Sequence, residues 1–128
     1  MQPLYKIFEY NFLYGTRLAT AYELGQGVKI IGFEERKSFE VRVLSIGKNP
    51  KRTGLGKKSL QFLRSKFNRI TVSEIYEGAL PFWLKMMECG LVDELLSIKD
   101  GSTFYRLEKA GNREIQSDYS ENWLLQEI

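Results

Sequence analysis

The feature that most constrains the fold is an apolar strand that runs into a glycine- and lysine-rich turn. Residues 44 to 59 read LSIGKNPKRTGLGKKS, and a helical pattern begins within them. Gly54 and Gly56 have no Cβ, so the backbone can approach a ligand closely there. The first N–H groups of the following helix have no partner within the helix, and they lie at the positive end of its dipole. The segment therefore predicts an anion site, with phosphate as the expected ligand.

Two widespread phosphate-binding motifs do not fit this turn. A P-loop with its lysine at position 57 would need glycine at position 51 and Ser or Thr at position 58, where the chain has Lys51 and Lys58. A dinucleotide-binding fingerprint that starts at Gly54 would need a third glycine where the chain has Ser59. The spacing thus excludes both motifs.

Composition is that of a globular protein with one core. The chain has 128 residues, of which 43% are hydrophobic and 27% are charged, and this length suits a single domain. No apolar run is long enough to cross a bilayer and no signal-peptide pattern is present, so we expect a cytoplasmic protein without a membrane partner. Histidine is absent and Cys89 is the single cysteine. A disulfide within the chain is excluded, and a metal site or a histidine-dependent triad is not expected.

Positive charge is concentrated around the glycine turn. From residue 41 to residue 73 there are nine Lys and Arg residues and no Asp or Glu, although the whole chain has a net charge of only +3. Such a stretch favours a polyphosphate ligand or nucleic acid. A solvated helix face is the alternative for Lys57, Lys58, Arg64 and Lys66, but their position beside the turn favours an anion ligand.

Apolar periodicity predicts strands and helices in alternation. The expected elements are a strand over 4–9, a short helix near 14–24, strands over 28–36 and 39–46, a helix over 55–67, a strand over 70–75, a helix over 79–89, and a hairpin of strands over 91–98 and 103–107. The short links favour antiparallel pairing, whereas the crossover helix favours a parallel unit. The predicted class is α/β of the α+β type, with a mixed sheet covered by helices.

The C-terminal segment differs from the rest of the chain. We expect one domain over residues 1–108 and an extension over residues 109–128. Asp118 and Glu121 have the spacing of a helix cap. Such a short helix would carry five large apolar side chains: Tyr119, Trp123, Leu124, Leu125 and Ile128. These side chains need burial, either on the domain itself or in a homodimer formed through the tail.

Two motifs and the element order resemble the GCN5-related N-acetyltransferase (GNAT) family. The acyl-coenzyme A loop of that family has the form Gln/Arg-x-x-Gly-x-Gly/Ala, and the chain has Lys51-Arg52-Thr53-Gly54-Leu55-Gly56. A second signature, Ala-x-x-Phe-Tyr-x-Lys, is similar to Ala79-Leu80-Pro81-Phe82-Trp83-Leu84-Lys85. The order of elements from residue 28 to 107 also resembles the family core. The resemblance implies the acyl-CoA N-acyltransferase fold, a central mixed β-sheet flanked by helices.

The resemblance further implies acetyl-coenzyme A as the cofactor. In the family, the strand before the loop binds the pantetheine arm, and the N–H groups of the loop hold the pyrophosphate. The matching positions in this chain are Leu44, Ile46, Lys51, Arg52, Thr53, Gly54, Leu55, Gly56 and Lys57.

The implied reaction is direct attack of an amine on the thioester carbonyl. An ammonium group with a pKa of about 10.4 must first lose a proton, so a carboxylate near the strand is expected as general base. Glu40 lies eleven residues before Lys51, where some members carry a glutamate. Glu34, Glu35 and Glu74 are alternatives, and each of the four could equally be an exposed charge on a turn or strand.

Strict alternation along the strand places Glu40, Arg42, Leu44 and Ile46 on one face. Glu40 would then lie roughly 20 Å from Ile46. That distance favours proton transfer through a chain of water molecules over direct contact.

The chain departs from the family pattern where a tyrosine often protonates the departing thiolate. Trp83 occupies that position, and an indole cannot act as an acid. Tyr76, where many members have asparagine, is a candidate substitute, and the alternative is that it only packs at a strand end. Gly90-Leu91 also follows Trp83 three residues later than the family's Gly-Phe usually does. A thiol with a pKa of about 8.5 leaves at pH 7 at a cost of about 2 kcal/mol, so water could supply the proton.

The sequence thus predicts an enzyme, an acyl-CoA-dependent N-acetyltransferase. Its acceptor amine stays open among a small molecule, a protein and an aminoacyl-RNA. One alternative is a non-catalytic binding module with the same fold. Another is a nucleic-acid-binding domain that uses the basic stretch from 41 to 73, which aromatic residues on exposed strands would favour.

Overall fold

The computed structural model describes residues 7–51 and 53–108, together with the backbone of residues 113–115. Contacts within the chain form two compact units, Met1–Ile70 and Thr71–Ile128. The expectation of one domain over residues 1–108 stays a prediction.

The first unit is an antiparallel meander followed by a helix. Its elements are β1 (Phe8–Tyr14), β2 (Arg17–Glu23), β3 (Lys29–Glu35), β4 (Ser38–Ser45) and α1 (Leu55–Lys66). Each strand pairs with the next one along the chain. The strands predicted over 28–36 and 39–46 and the helix predicted over 55–67 are confirmed.

The short helix predicted near 14–24 is wrong, because β2 occupies that segment. Tyr14 pairs with Arg17 across a turn of two residues. The turn begins at Gly15 with φ of +66°, and glycine in the first central position is typical of a type II′ hairpin. Ala19 and Ala21, which favour helices by propensity, are fully buried on one face of the strand.

One face of the meander packs against α1 to form the core of the first unit. Tyr22 contacts Phe39 and Phe62 at ring-centroid distances of 5.8 and 5.4 Å. Phe39 also contacts Phe67 at 5.1 Å. From the helix, Leu60 and Leu63 are fully buried. Each such side chain contributes about 1.5–3 kcal/mol when it leaves water, so this face fixes α1 on the sheet.

The second unit contains one helix and a mixed sheet. β5 (Arg69–Val72) runs into this unit, which begins at Thr71. The elements that follow are α2 (Leu80–Glu88), β6 (Glu94–Asp100), β7 (Thr103–Glu108) and β8 (Arg113–Ile115). The end of β5 pairs with β6 in parallel, whereas β6–β7 and β7–β8 are antiparallel. The predicted α+β class with a mixed sheet is confirmed.

The two ends of the chain differ in part from the prediction. The strand expected over 4–9 begins at Phe8 and runs to Tyr14 among the described residues. β8 lies within the segment predicted as a C-terminal extension. The helix predicted from residue 118, with its apolar side chains, lies outside the described residues.

Tyr22 carries a hydroxyl that is buried without a hydrogen-bond partner among the described residues. Burial raises the pKa of Tyr22 above its ordinary value of 10.0. Below pH 10 the tyrosine is neutral in both states. As the pH rises further, the unfolded chain releases the proton first, so the free energy of unfolding falls by up to about 1.4 kcal/mol per pH unit.

Replacement of Tyr22 by phenylalanine should remove this part of the alkaline destabilisation. At pH 7 the variant should be at least as stable as the wild type, because burying an unpaired hydroxyl costs about 1–3 kcal/mol. Urea unfolding at pH 7 and at pH 11 measures both effects. If the free energy of unfolding falls equally in the wild type and the variant between pH 7 and pH 11, then loss of the Tyr22 proton from the unfolded chain does not cause the alkaline destabilisation.

Candidate functional site

The glycine turn leaves the sheet of the first unit at one edge. Phe8, Glu23, Lys29 and Ser45 pair in a single row across the four strands of the meander. β4 ends in this row, and α1 begins ten residues later at Leu55. The turn and the ends of β2 and β3 therefore lie at the same edge.

Asn49 fixes the first half of the turn. Its side-chain Nδ2 donates to the carbonyl oxygens of Ile46 and Gln26, both at 2.6 Å. Its backbone N–H donates to Ile46 O at 3.2 Å. Gly47 has φ of +64°, and a Cβ there would lie 2.8 Å from Gly27 O. The turn is thus held closely against the turn between β2 and β3.

The second half of the turn presents the N-terminus of α1. Gly54 is the N-cap residue, with φ of 84° and ψ of 5°, and no side chain caps the helix. The first turn of the helix contains no acidic residue, but it contains Lys57 and Lys58. The first helical hydrogen bond runs from Lys58 N to Gly54 O at 3.0 Å. Unpaired N–H groups, the helix dipole and two lysines together suit a bound anion.

The backbone conformation at position 54 favours glycine, whereas the space around it would admit a side chain. A Cβ on Gly54 would meet no atom within 4 Å, so the space above the helix start is open to a ligand. Lys51 and Thr53 are exposed beside it, whereas the Leu55 side chain is buried. Only the backbone of Leu55 can therefore face a ligand. Arg52, predicted to bind the cofactor, lies outside the described residues.

A β-bulge interrupts β4 at Arg42. Ile31 pairs with Val43 and Gly32 pairs with Val41, so Arg42 is the extra residue of the bulge. A bulge adds one residue to its strand and reverses the alternation of side chains beyond it. Within β4, nothing in the residue types around Arg42 predicts this extra residue.

The predicted common face for Glu40, Leu44 and Ile46 is wrong because of the bulge. Glu40 pairs with Phe33 and Leu44 pairs with Ile30. Phe33 and Ile30 are three residues apart on a regular strand, so they point to opposite faces. The bulge also brings Glu40 one residue closer to the end of β4, a gain of about 3.3 Å.

Glu40 lies beside an arginine on the sheet face that bears Phe33. Its carboxylate oxygen lies 3.8 Å from Nη1 of Arg17, and its side chain is 23% exposed. The Arg17 guanidinium stacks on the Phe33 ring at 3.6 Å. The carboxylate is thus accessible, as a base must be, but a cation already lies beside it.

The alternative carboxylates Glu34 and Glu35 lie at the far end of β3. This strand begins at Lys29, in the row from which the turn departs, and ends at Glu35. The span of six residues is about 20 Å. These two exposed side chains are therefore the least suited to act near the turn.

A cleft that sequence reasoning missed lies at the same edge as the turn. It has a volume of about 450 Å³ and is lined by Phe8, Glu23, Gly25, Gly27, Val28 and Lys29. Glu23 accepts a hydrogen bond of 2.7 Å from the Tyr10 hydroxyl and lies 3.7 Å from Lys29 Nζ. A Cβ on Gly27 would lie 3.9 Å from Asn49. The glycine pair flanking Gln26 was the signal in the sequence, but its closeness to the turn appears only in the fold.

The second unit contains Tyr76, the proposed acid, and the alternative base Glu74. Both line a smaller cleft of about 240 Å³. The Tyr76 side chain is 61% exposed. Trp83 is buried and contacts Phe82 at 4.9 Å, which fits a residue that packs and does not take part in chemistry.

Among residues 7–51 and 53–108, no cluster of three potential metal ligands occurs. Within the same part of the chain, no helix has the length and apolar character to cross a bilayer.

Comparisons with protein-family models, with curated proteins and with solved structures found no match to this chain.

Proposed function

We propose that the chain is an acyl-CoA-dependent N-acetyltransferase, which transfers an acetyl group from acetyl-coenzyme A to an amine. The observation that carries the proposal is the start of α1, where a left-handed glycine cap leaves the helix without a side-chain cap. Lys57 and Lys58 follow in a turn that contains no acidic residue. A pyrophosphate is an anion of the size and charge that such a helix start accepts.

The residues around the turn fit two parts of the cofactor, its pyrophosphate and its pantetheine arm. Backbone N–H groups from residue 52 to Lys57 would hold the pyrophosphate, with Lys51 and Thr53 beside it. Leu44 and Ile46 are half-buried where β4 ends, so they offer apolar surface to the pantetheine arm. When bound, the cofactor would supply a thioester as the acyl donor.

Two side chains are proposed for proton transfer. Glu40 would take the proton from the acceptor ammonium, directly or through water, with Arg17 beside its carboxylate. Tyr76 would give a proton to the departing thiolate, or water would take that role. A positioned acid or base contributes on the order of 10² to 10⁴ in rate.

Titration calorimetry with acetyl-coenzyme A tests the proposal. One binding site per chain is expected, and release of free thiol should follow when an amino acid, a peptide or an aminoacyl-RNA is added as acceptor. Binding without turnover by any acceptor would favour the non-catalytic binding module. If acetyl-coenzyme A does not bind, the proposed function is wrong.

A nucleic-acid-binding domain is the second candidate, because aromatic and arginine side chains share one sheet face. Tyr10, Phe12 and Tyr14 follow one another along β1 at ring-centroid distances of 6.1 and 6.3 Å. The guanidinium of Arg42 lies 5.6 Å from the Tyr14 ring. Bases of single strands stack on such side chains. Anisotropy of a labelled single-stranded oligonucleotide should then fall steeply with salt, whereas no binding at low salt would exclude this candidate.

A further inference from the structure

The smaller cleft of the second unit opens where β5 ends. Three residues after β5 ends at Val72, Ile75 forms a parallel bridge with Ile98 of β6. Ile75 N donates to Ser97 O at 2.8 Å, and Lys99 N donates to Ile75 O at 2.9 Å. These hydrogen bonds fix the backbone on both sides of the cleft. Carboxyl ends of parallel strands are common positions for ligand sites in open sheets.

The bridge between Ile75 and Ile98 determines which side chains face the cleft. Ile75 and Ile98 are buried in the core, so their neighbours in sequence point away from it. Lys99 pairs directly with Phe104 of β7, which places these two side chains on one face. The cleft is lined by Glu74, Ile75, Tyr76, Ser97, Lys99 and Phe104.

Glu74 adopts an unusual backbone conformation at this cleft. Its φ is +57°, in the left-handed region that a side chain with a Cβ rarely adopts. Strained residues of this kind cluster at ligand and active sites, where the surrounding structure holds them in place. Here the bridge at Ile75 holds the next residue and so fixes the direction in which the Glu74 carboxylate leaves the backbone.

The lining combines opposite charges with aromatic walls. Glu74 supplies a negative charge and Lys99 a positive charge, and Ser97 adds a hydroxyl. Tyr76 and Phe104 supply aromatic surface. The volume of about 240 Å³ lies below the range of about 300–1,000 Å³ for drug-sized ligands. The cleft therefore suits a small molecule that carries both charges and one apolar group.

We propose that this cleft binds a small zwitterion of the amino-acid class. The ammonium group of the ligand pairs with Glu74, and its carboxylate pairs with Lys99. Its apolar side chain lies against Tyr76 and Phe104. Each charge of the ligand thus meets an opposite charge of the protein, and this arrangement distinguishes the zwitterion from an amine or an acid alone.

The test uses L-phenylalanine as the probe, titrated into the full chain by calorimetry in the absence of coenzyme A. Since no cofactor is present, the result is independent of the proposed acyl transfer. Phenethylamine lacks the carboxylate and 3-phenylpropionate lacks the ammonium. Each analogue should bind at least tenfold more weakly than L-phenylalanine. No binding of L-phenylalanine at millimolar concentration, or equal binding of all three compounds, would overturn the proposal.

Two variants test the assignment of the charges. Asparagine tolerates the left-handed conformation, so Glu74→Asn removes the carboxylate with little change to the backbone. Lys99→Gln removes the ammonium group. Each variant should reduce the affinity for L-phenylalanine at least tenfold. Lys85→Gln, on the exposed side of α2, should leave that affinity unchanged. Circular dichroism confirms that the variants fold, and wild-type affinity in both cleft variants would refute the assignment.

Discussion

Replacement of Gly54 by valine should reduce the affinity for acetyl-coenzyme A by at least tenfold. Gly54 caps α1 in the left-handed region, and a branched side chain there would cover the N–H groups that face the ligand. The same change strains the backbone by about 1–2 kcal/mol, so the folded fraction must be measured alongside binding. Calorimetry on the folded protein gives the affinity.

Gly15→Val is a matched control for the strain. Gly15 also has positive φ, and no atom lies within 4 Å of a Cβ built on it, so valine should strain the backbone there too while cofactor binding stays unchanged. Gly56→Val places a branched side chain in the first helical turn without a left-handed cap, and it should also weaken binding. Equal affinity in the wild type and in the variants at both 54 and 56 would refute cofactor binding at this helix start.

Replacement of Gly32 by alanine should produce the largest loss of stability of any single methyl addition discussed for this chain. A Cβ on Gly32 would lie 2.1 Å from Glu40 O and 2.4 Å from a ring carbon of Phe39. Overpacking of a core costs about 1–3 kcal/mol when side chains can move. Here one of the two contacts is with backbone, so we expect at least 3 kcal/mol, measured by urea unfolding.

Gly78→Ala provides the comparison. No atom lies within 4 Å of a Cβ built on Gly78, and its φ is outside the left-handed region, so the variant should be within about 0.5 kcal/mol of the wild type. A Gly32→Ala protein that unfolds within 1 kcal/mol of the wild type would show that the packing of Phe39 beneath β3 is wrong.

The elements that the sequence predicted best are those with long, regular apolar patterns. α1 begins at Leu55 as expected, because Leu60 and Leu63 continue a helical stripe from it. β2 was missed because its alanines and the adjacent tyrosine also fit a helix, and only the glycine of the two-residue turn distinguishes the two structures. Pairing with β1 and β3 then decides in favour of the strand.

Much of the geometry of the candidate site could not be read from the sequence. The turn at Gly54 was predicted, because a glycine pair before a helical stripe is typical of a turn at which a helix begins. The bulge at Arg42 depends on how β3 and β4 register, and the isolated Gly32 beside it in β3 is the single local signal of it among the described residues. The contact of Asn49 with Gln26 joins positions 23 residues apart in the chain, which no local pattern reports.

The close approach of the two turns at the sheet edge also constrains how the sequence can diverge. Gly47 cannot accept a side chain without displacing Gly27, and Asn49 needs the carbonyl of Gln26 where it now lies. A substitution in either turn therefore changes which residues the other turn tolerates. Among homologues of this chain, the residues at positions 27, 47 and 49 should therefore covary.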